Sequence, residues 1–243
     1  GAMNAPAQWR PIVVDFGAPT IGGASTVAFA GCQDGRLYAF DGDTGDRLWQ
    51  SPPPPVLGDA VQASPSGVLT AFGGPFDLLL VGTRNPSGGS ALVAIDPADG
   101  QEVWRFDNSP DGEIGIISSQ PYVSASQQRV WFTSRRHPTG AQDTVWCLDF
   151  DQTGATKVWS RGLWDVDTAP NVRDGVLYAG NTTGQILVLD AATGDDRWPM
   201  GMAVLSAVKT TIWTGPSPGG TAMVFSTDLR VRAMEDTGTG TGT

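Results

Sequence analysis

The sequence predicts an all-β chain, a five-bladed β-propeller of four-stranded antiparallel blades in which the last blade is closed by the N-terminal strand. Three observations carry this. One hairpin phrase is written four times, 32 Gly and 18 Pro supply turns throughout the 243 residues, and a fifth copy is split between the two ends of the chain.

The phrase first reads Leu37-Tyr38-Ala39-Phe40-Asp41, with Thr44, Gly45 and Trp49 at fixed offsets. It returns as Leu92-Val93-Ala94-Ile95-Asp96 with Asp99, Gly100 and Trp104, and as Ile186-Leu187-Val188-Leu189-Asp190 with Thr193, Gly194 and Trp198. A third version, Val145-Trp146-Cys147-Leu148-Asp149 with Gly154 and Trp159, is stretched by two residues. Each reads as a period-2 apolar strand, an Asp whose carboxylate accepts turn amides, a Gly supplying positive φ, and a second strand ending in Trp. Ahead of each hairpin lies an apolar run: Thr26 to Ala30, Asp77 to Gly82, Arg129 to Thr133 and Val176 to Ala179. Ahead of that comes a segment built on Pro19, Pro65, Pro121 or Pro170, so each unit holds four strands, A to D.

In the fifth copy, Ala222 to Phe225 and Leu229 to Glu235 match strands B and C, and Asp236-Thr237-Gly238 matches the turn, but no Trp strand follows. Gln8-Trp9-Arg10 has the look of a strand D without a hairpin partner; joined to the last blade, it would leave no raw sheet edge. Trp9, Trp49, Trp104, Trp159 and Trp198 fall 40, 55, 55 and 39 residues apart, which counts out five blades. Residues 1–6 read as a tag scar and leader and 7–236 as one propeller domain. Its blades lie roughly at 15–50, 58–105, 115–160, 165–199 and 203–236 plus 7–14, and 237–243 form a flexible Thr/Gly tail.

These phrases resemble the PQQ-like repeat, the blade family of quinoprotein dehydrogenases and of many non-catalytic bacterial propellers. The resemblance runs from Trp9 to Gly238. Members usually carry seven or eight blades, so five implies either a small closed ring or an excised part of a larger one. The quinone-binding members use adjacent cysteines, a calcium ion and a catalytic Asp. Here Cys32 lies at a B–C turn of the first blade and Cys147 on strand C of the third, so neither a disulfide between them nor a quinone is expected. One histidine and scattered cysteines offer no metal-ligand spacing, and no catalytic residue, metal or cofactor is assigned. Asp41, Asp96, Asp149 and Asp190 are expected to cap their turns, and Trp49, Trp104, Trp159 and Trp198 to wedge against the neighbouring blade. Relatives of this kind are often periplasmic or surface-exposed, which favours a periplasmic or extracellular place over a cytoplasmic one.

The charge balance, 15 Lys+Arg against 25 Asp+Glu for a net −10, disfavours nucleic acid and anionic membrane surfaces as partners. No apolar run reaches the roughly 18 residues of a membrane helix, so no membrane insertion is expected. A monomer is expected.

Because strands alternate in direction, all B–C and D–A connections emerge on one face of the ring. The B–C loops are tight in blades one and four but long in blades two (Thr83 to Ser90) and three (Ser134 to Asp143). The D–A connections into those blades, Ser51 to Asp59 and Asp107 to Glu113, are long as well. That sector is the candidate recognition surface. Arg84, Arg135, Arg136 and His137 form its basic part, with Asn85, Asp59, Asp111 and Glu113 as further candidates on the same loops. Trp164 beside Asp165 and Asp167 pairs a stacking aromatic with carboxylates. Unpaired acids near the channel also include Asp15 and Asp77, but no pair declares itself as the acid and base of a glycosidase. The expectation is therefore a non-enzymatic module, one domain of a larger protein, that binds a protein or peptide, or a small ligand such as a sugar. The alternatives are a lectin-like propeller and, after it, a relative or fragment of a quinone-dependent oxidoreductase or five-bladed glycosidase.

Overall fold

The computed structural model describes residues 12–15, 21–51, 61, 63–68, 78–85, 89–162, 164–198, 202–203, 206–228 and 230–237. The chain is all-β, and among these residues its strands form five antiparallel sheets in sequence order. Sheet one contains β1 (Ile12–Asp15), β2 (Thr26–Gly31), β3 (Leu37–Asp41) and β4 (Arg47–Gln50). Sheet two contains β5 (Ser66–Val68), β6 (Leu78–Gly82), β7 (Leu92–Ile95) and β8 (Glu102–Phe106). Sheet three contains β9 (Tyr122–Ser124), β10 (Arg129–Thr133), β11 (Val145–Phe150) and β12 (Ala155–Arg161). Sheet four contains β13 (Asn171–Arg173), β14 (Val176–Gly180), β15 (Gln185–Asp190) and β16 (Met202–Ala203). Sheet five contains β17 (Trp213–Ser217), β18 (Gly220–Ser226) and β19 (Val231–Asp236).

Two boundaries differ from the sequence reading. Ile12 to Val14, grouped there with the closing strand, instead pair with β2 as part of the first strand of sheet one. The segment around Trp9, expected to close the last blade, lies outside the described residues. Sheet four, in turn, extends beyond Trp198. Its outer strand touches at the Leu189–Asp196 bridge, breaks at a bend through Trp198 and resumes at Met202–Ala203.

The middle strands explain their own composition. In β6, β7, β14 and most of β10, both faces are buried because a neighbouring sheet covers each side, so they read as continuous apolar runs. Alternate residues serve opposite seams. Leu79 and Val81 pack with Val27, Phe29, Leu37 and Ala39 of sheet one, whereas Leu78 and Leu80 pack with Val130, Phe132, Trp146 and Leu148 of sheet three. The remaining seams join Trp131 and Cys147 to Leu177 and Leu189, and Tyr178 and Val188 to Met223 and Phe225.

Each seam carries the same two fastenings. One is made of backbone: the carbonyls of Cys32, Thr83, Ser134 and Asn181, at the ends of the B strands, accept the amides of Val61, Ile117, Val166 and Val208 at 2.9–3.2 Å. Every donor stands five residues ahead of the next sheet's first strand. The close approach requires glycine at three of these seams, since a Cβ at Gly31, Gly82 or Gly180 would collide with Val61, Ile117 or Val208. The other fastening is the repeated tryptophan. A bulged residue (Leu48, Val103 or Val158) precedes Trp49, Trp104 and Trp159 and shifts the C–D register there. Trp49 donates its indole N–H to Pro97 O, Trp104 to Asp151 O and Trp159 to Ala191 O, each in the turn of the following sheet, at 2.9–3.2 Å. Trp198 donates to the buried Asp236 carboxylate at 3.2 Å, which also accepts the Tyr178 hydroxyl at 2.9 Å.

Candidate functional site

The turn acids come first, because they separate structural carboxylates from available ones. Asp41 Oδ1 accepts Asp43 N and Thr44 N, Asp96 Oδ1 accepts Ala98 N, and Asp190 Oδ1 accepts Ala192 N and Thr193 N, at 2.7–3.1 Å. In the third copy the two extra residues move this task to Asp151, whose Oδ1 takes Thr153 N, Thr153 Oγ1 and Gly154 N. Asp149, expected to cap that turn, instead stays in strand register opposite Arg129 and accepts its Nε at 2.7 Å.

The long B–C loop of sheet three lies between the two D–A segments that flank it, 111–114 on one side and 164–168 on the other. Arg135 makes a two-pronged ion pair with Asp167, Nε to Oδ1 at 2.7 Å and Nη2 to Oδ2 at 2.8 Å. This hydrogen-bonded carboxylate raises the guanidinium's affinity for its proton against the cost of burial. Arg136 donates its backbone amide to Asp165 Oδ1 at 2.9 Å and lays its guanidinium over Trp164, 4.7 Å from the ring centroid. Trp164 is 52% exposed. Its φ of 64° is a left-handed conformation that a bulky side chain adopts at a cost of about 1–3 kcal/mol. The fold holds it there through Asp165, whose carbonyl accepts Thr182 N at 2.9 Å.

His137 serves the loop rather than solvent. Its side chain is only 9% exposed, Nδ1 accepts Thr139 N at 3.3 Å, and Nε2 lies 3.3 Å from Glu113 Oε2. With Nδ1 accepting, the ring proton resides on Nε2 and points at the carboxylate. Ala141 N to Glu113 O and His137 N to Ala141 O, both at 2.9 Å, tie the loop to the 111–114 segment. The sheet-two loop joins the same group through Ser90, whose Oγ accepts Asn85 N at 3.1 Å and whose amide donates to Ile114 O at 2.9 Å. Arg84 is half-buried at the end of β6.

The structure thus brings Arg135, Arg136, His137, Glu113 and Trp164 together, with Asn85 at the margin. Asp111 is drawn away to Lys157 Nζ, at 3.0 Å, on the outer strand of sheet three. Asp59 lies outside the described residues. Asp165 and Asp167, left by the sequence as loop acids without partners, turn out to be the carboxylates that fix both arginines. The pairing spans 29 and 32 residues and follows from the packing of one sheet's B–C loop on the next sheet's D–A segment. Cys32 and Cys147 are free and buried, and burial pushes the Cys147 thiol up to about 12. Among the described residues no group of three or more His, Cys, Asp or Glu is gathered to hold a metal ion, and no helix is long and apolar enough to cross a membrane.

A family model described as outer membrane protein assembly factor BamB matches residues 9–105 and 87–240. The type IV pilus biogenesis factor PilY1 of Pseudomonas aeruginosa is 27% identical over 195 residues, covering 67% of this chain and 17% of that protein. The serine/threonine-protein kinase/endoribonuclease ire-1 of Caenorhabditis elegans is 28% identical over 185 residues, covering 68% and 19%. The chain therefore spans less than a fifth of either relative. Among solved structures, BamB from Moraxella catarrhalis superposes with a TM-score of 0.60 at 22% identity, over 89% of this chain and 59% of that one. Quinohemoprotein alcohol dehydrogenase from Comamonas testosteroni superposes at 0.64 with 14% identity, over 96% and 42%. These superpositions establish a shared PQQ-like propeller fold.

Proposed function

The chain belongs to the PQQ-like propeller family whose model is described as outer membrane protein assembly factor BamB, and from that premise we propose that it is a non-enzymatic docking module for a protein or peptide. The observation that carries this reading is the Arg136–Trp164 pair, an exposed aromatic held in a costly backbone conformation under a guanidinium. Trp and Arg are the residue types that dominate binding energy at interfaces, and strain kept in place by a surrounding ion-pair network is a signature of a positioned site. The same network counts against hydrolysis: Asp165 and Asp167 are each engaged by an arginine rather than converging on an open space as acid and base.

The module is read as one part of a longer protein. In the inner seams the side chains are sealed, whereas Val13 on the outward face of sheet one and Val231 on that of sheet five are 63% and 76% exposed. Tyr38 and Phe40 on the sheet-one face are only half-buried. Such faces suit further sheets of the same kind better than water. BamB is an outer membrane protein assembly factor and PilY1 a type IV pilus biogenesis factor, and likeness to both supports a periplasmic or extracellular place.

The test is selection of a displayed random peptide library on the purified chain, followed by affinity measurement. Enriched peptides are expected to lose about tenfold or more in affinity on Trp164→Ala or Arg136→Ala. Peptides indifferent to both substitutions, or no enrichment, would overturn the reading. Lectin-type binding is the second reading, because the free face of Trp164 also suits a sugar ring.

A further inference from the structure

We propose that the axial cavity of the propeller is a binding site for a neutral saccharide of one or two rings, separate from the loop surface and independent of the docking reading. The cavity, about 590 Å³, lies where the segments entering the innermost strands of sheets two to five meet, and it is lined by Ser64, Gln120, Thr168, Asn171, Thr211 and Trp213 among others. The wall segments are already fastened to each other: Ser66 Oγ donates to Pro121 O and Gln120 Nε2 to Pro65 O between sheets two and three, Thr133 Oγ1 to Thr168 O between three and four, and Asn171 Nδ2 to Ile212 O between four and five, at 2.6–3.1 Å. The walls are therefore pre-formed, and the volume is that of a small-ligand site.

Three features select the ligand chemistry. Trp213 is 62% exposed and lines the cavity, a flat apolar face of the kind that stacks against the C–H face of a sugar ring. Gln120 Nε2 donates to Pro65 O, Asn171 Nδ2 donates to Ile212 O and Thr214 Oγ1, and among the described residues their side-chain oxygens accept no hydrogen bond, so these offer acceptors to a ligand rich in hydroxyl donors. The charged groups among the described wall residues are already paired, Asp167 with Arg135 and Lys209 with Asp228 at 3.3 Å, which favours an uncharged ligand.

Saturation-transfer NMR with glucose, N-acetylglucosamine, maltose and cellobiose at millimolar concentration tests this on the intact chain. At least one of the four is expected to receive saturation at its ring protons. Trp213→Ala should weaken it about tenfold or more, with Trp213→Phe in between, while the urea midpoint stays near that of the parent because the side chain is mostly exposed. No transfer to any of the four, or undiminished binding by Trp213→Ala, would overturn the proposal. Loss of binding with Trp164→Ala instead would move the sugar to the loop surface and overturn it as well.

Discussion

Replacing Gly194 with alanine probes the seam construction at one atom. The residue sits at φ 76°, and an added Cβ would lie 2.7 Å from Cδ2 and Cε3 of Trp159, whose indole reaches across from sheet three. The left-handed backbone costs alanine about 1–2 kcal/mol. Forcing the ring aside adds about 1–3 kcal/mol of overpacking. Losing the indole hydrogen bond to Ala191 O adds about 1 kcal/mol. Together these predict a loss of roughly 3–6 kcal/mol, a large share of a domain's stability. Gly175 supplies the control: its φ of 77° is the same, but no described atom lies within 4 Å of its Cβ position, so Gly175→Ala bears only the backbone cost. Urea unfolding of both variants, compared at equal m-value, separates the contributions. If the two variants lose the same stability to within about 0.5 kcal/mol, the aromatic wedge is not what holds the sheets together.

Three further outcomes follow from the same seams and turns. Asp236→Ala strands two donors, the Tyr178 hydroxyl and the Trp198 indole, and should cost about 2–5 kcal/mol in thermal or urea unfolding; a loss below about 1 kcal/mol would remove Asp236 from the seam. With its thiol pushed up to about 12 by burial, Cys147 should resist iodoacetamide at pH 8 in the folded chain and react in urea; mass spectrometry showing rapid native labelling would contradict its placement. The carboxyl of Asp151, held by the Thr153 hydroxyl, and that of Asp190, where partial burial is outweighed by Arg197 and two turn amides, both lie below the ordinary 3.8. The unfolded chain therefore takes up these protons first: their stabilisation is complete above about pH 4 and is lost as pH falls through the folded values. Asp190→Asn should flatten the acid limb of the stability curve, and an unchanged limb would refute that assignment.

The hairpin phrase was legible because each of its letters has a local job: alternation for a strand, Asp for turn amides, Gly for a left-handed corner. Where two residues were inserted, the same letters misled. Asp149 matched the phrase, yet the turn lies two residues later at Asp151, and only the pairing with Arg129 reveals it. The outer strand of sheet four was cut short for a similar reason, since Trp198 sits at a bend and the pairing resumes at Met202. Ile12 to Val14 belong to sheet one rather than to the last sheet, because a four-residue strand has no signature of its own neighbour. At the site, the arginines stood out as a basic cluster on an acidic chain, but their carboxylate partners belong to the next sheet, a proximity no spacing encodes. Trp213 escaped notice because no proline precedes β17 to mark it as a first strand, as Pro65, Pro121 and Pro170 mark β5, β9 and β13.

The carbonyl-to-amide fastening between neighbouring sheets has a consequence for heredity. Cys32, Thr83, Ser134 and Asn181 carry a thiol, two hydroxyls and an amide, yet each grips the following unit through the same main-chain atom. A junction written in atoms common to every amino acid survives substitution at the residue that forms it. A unit duplicated, deleted or exchanged by recombination would therefore meet neighbours already equipped to hold it through the main chain.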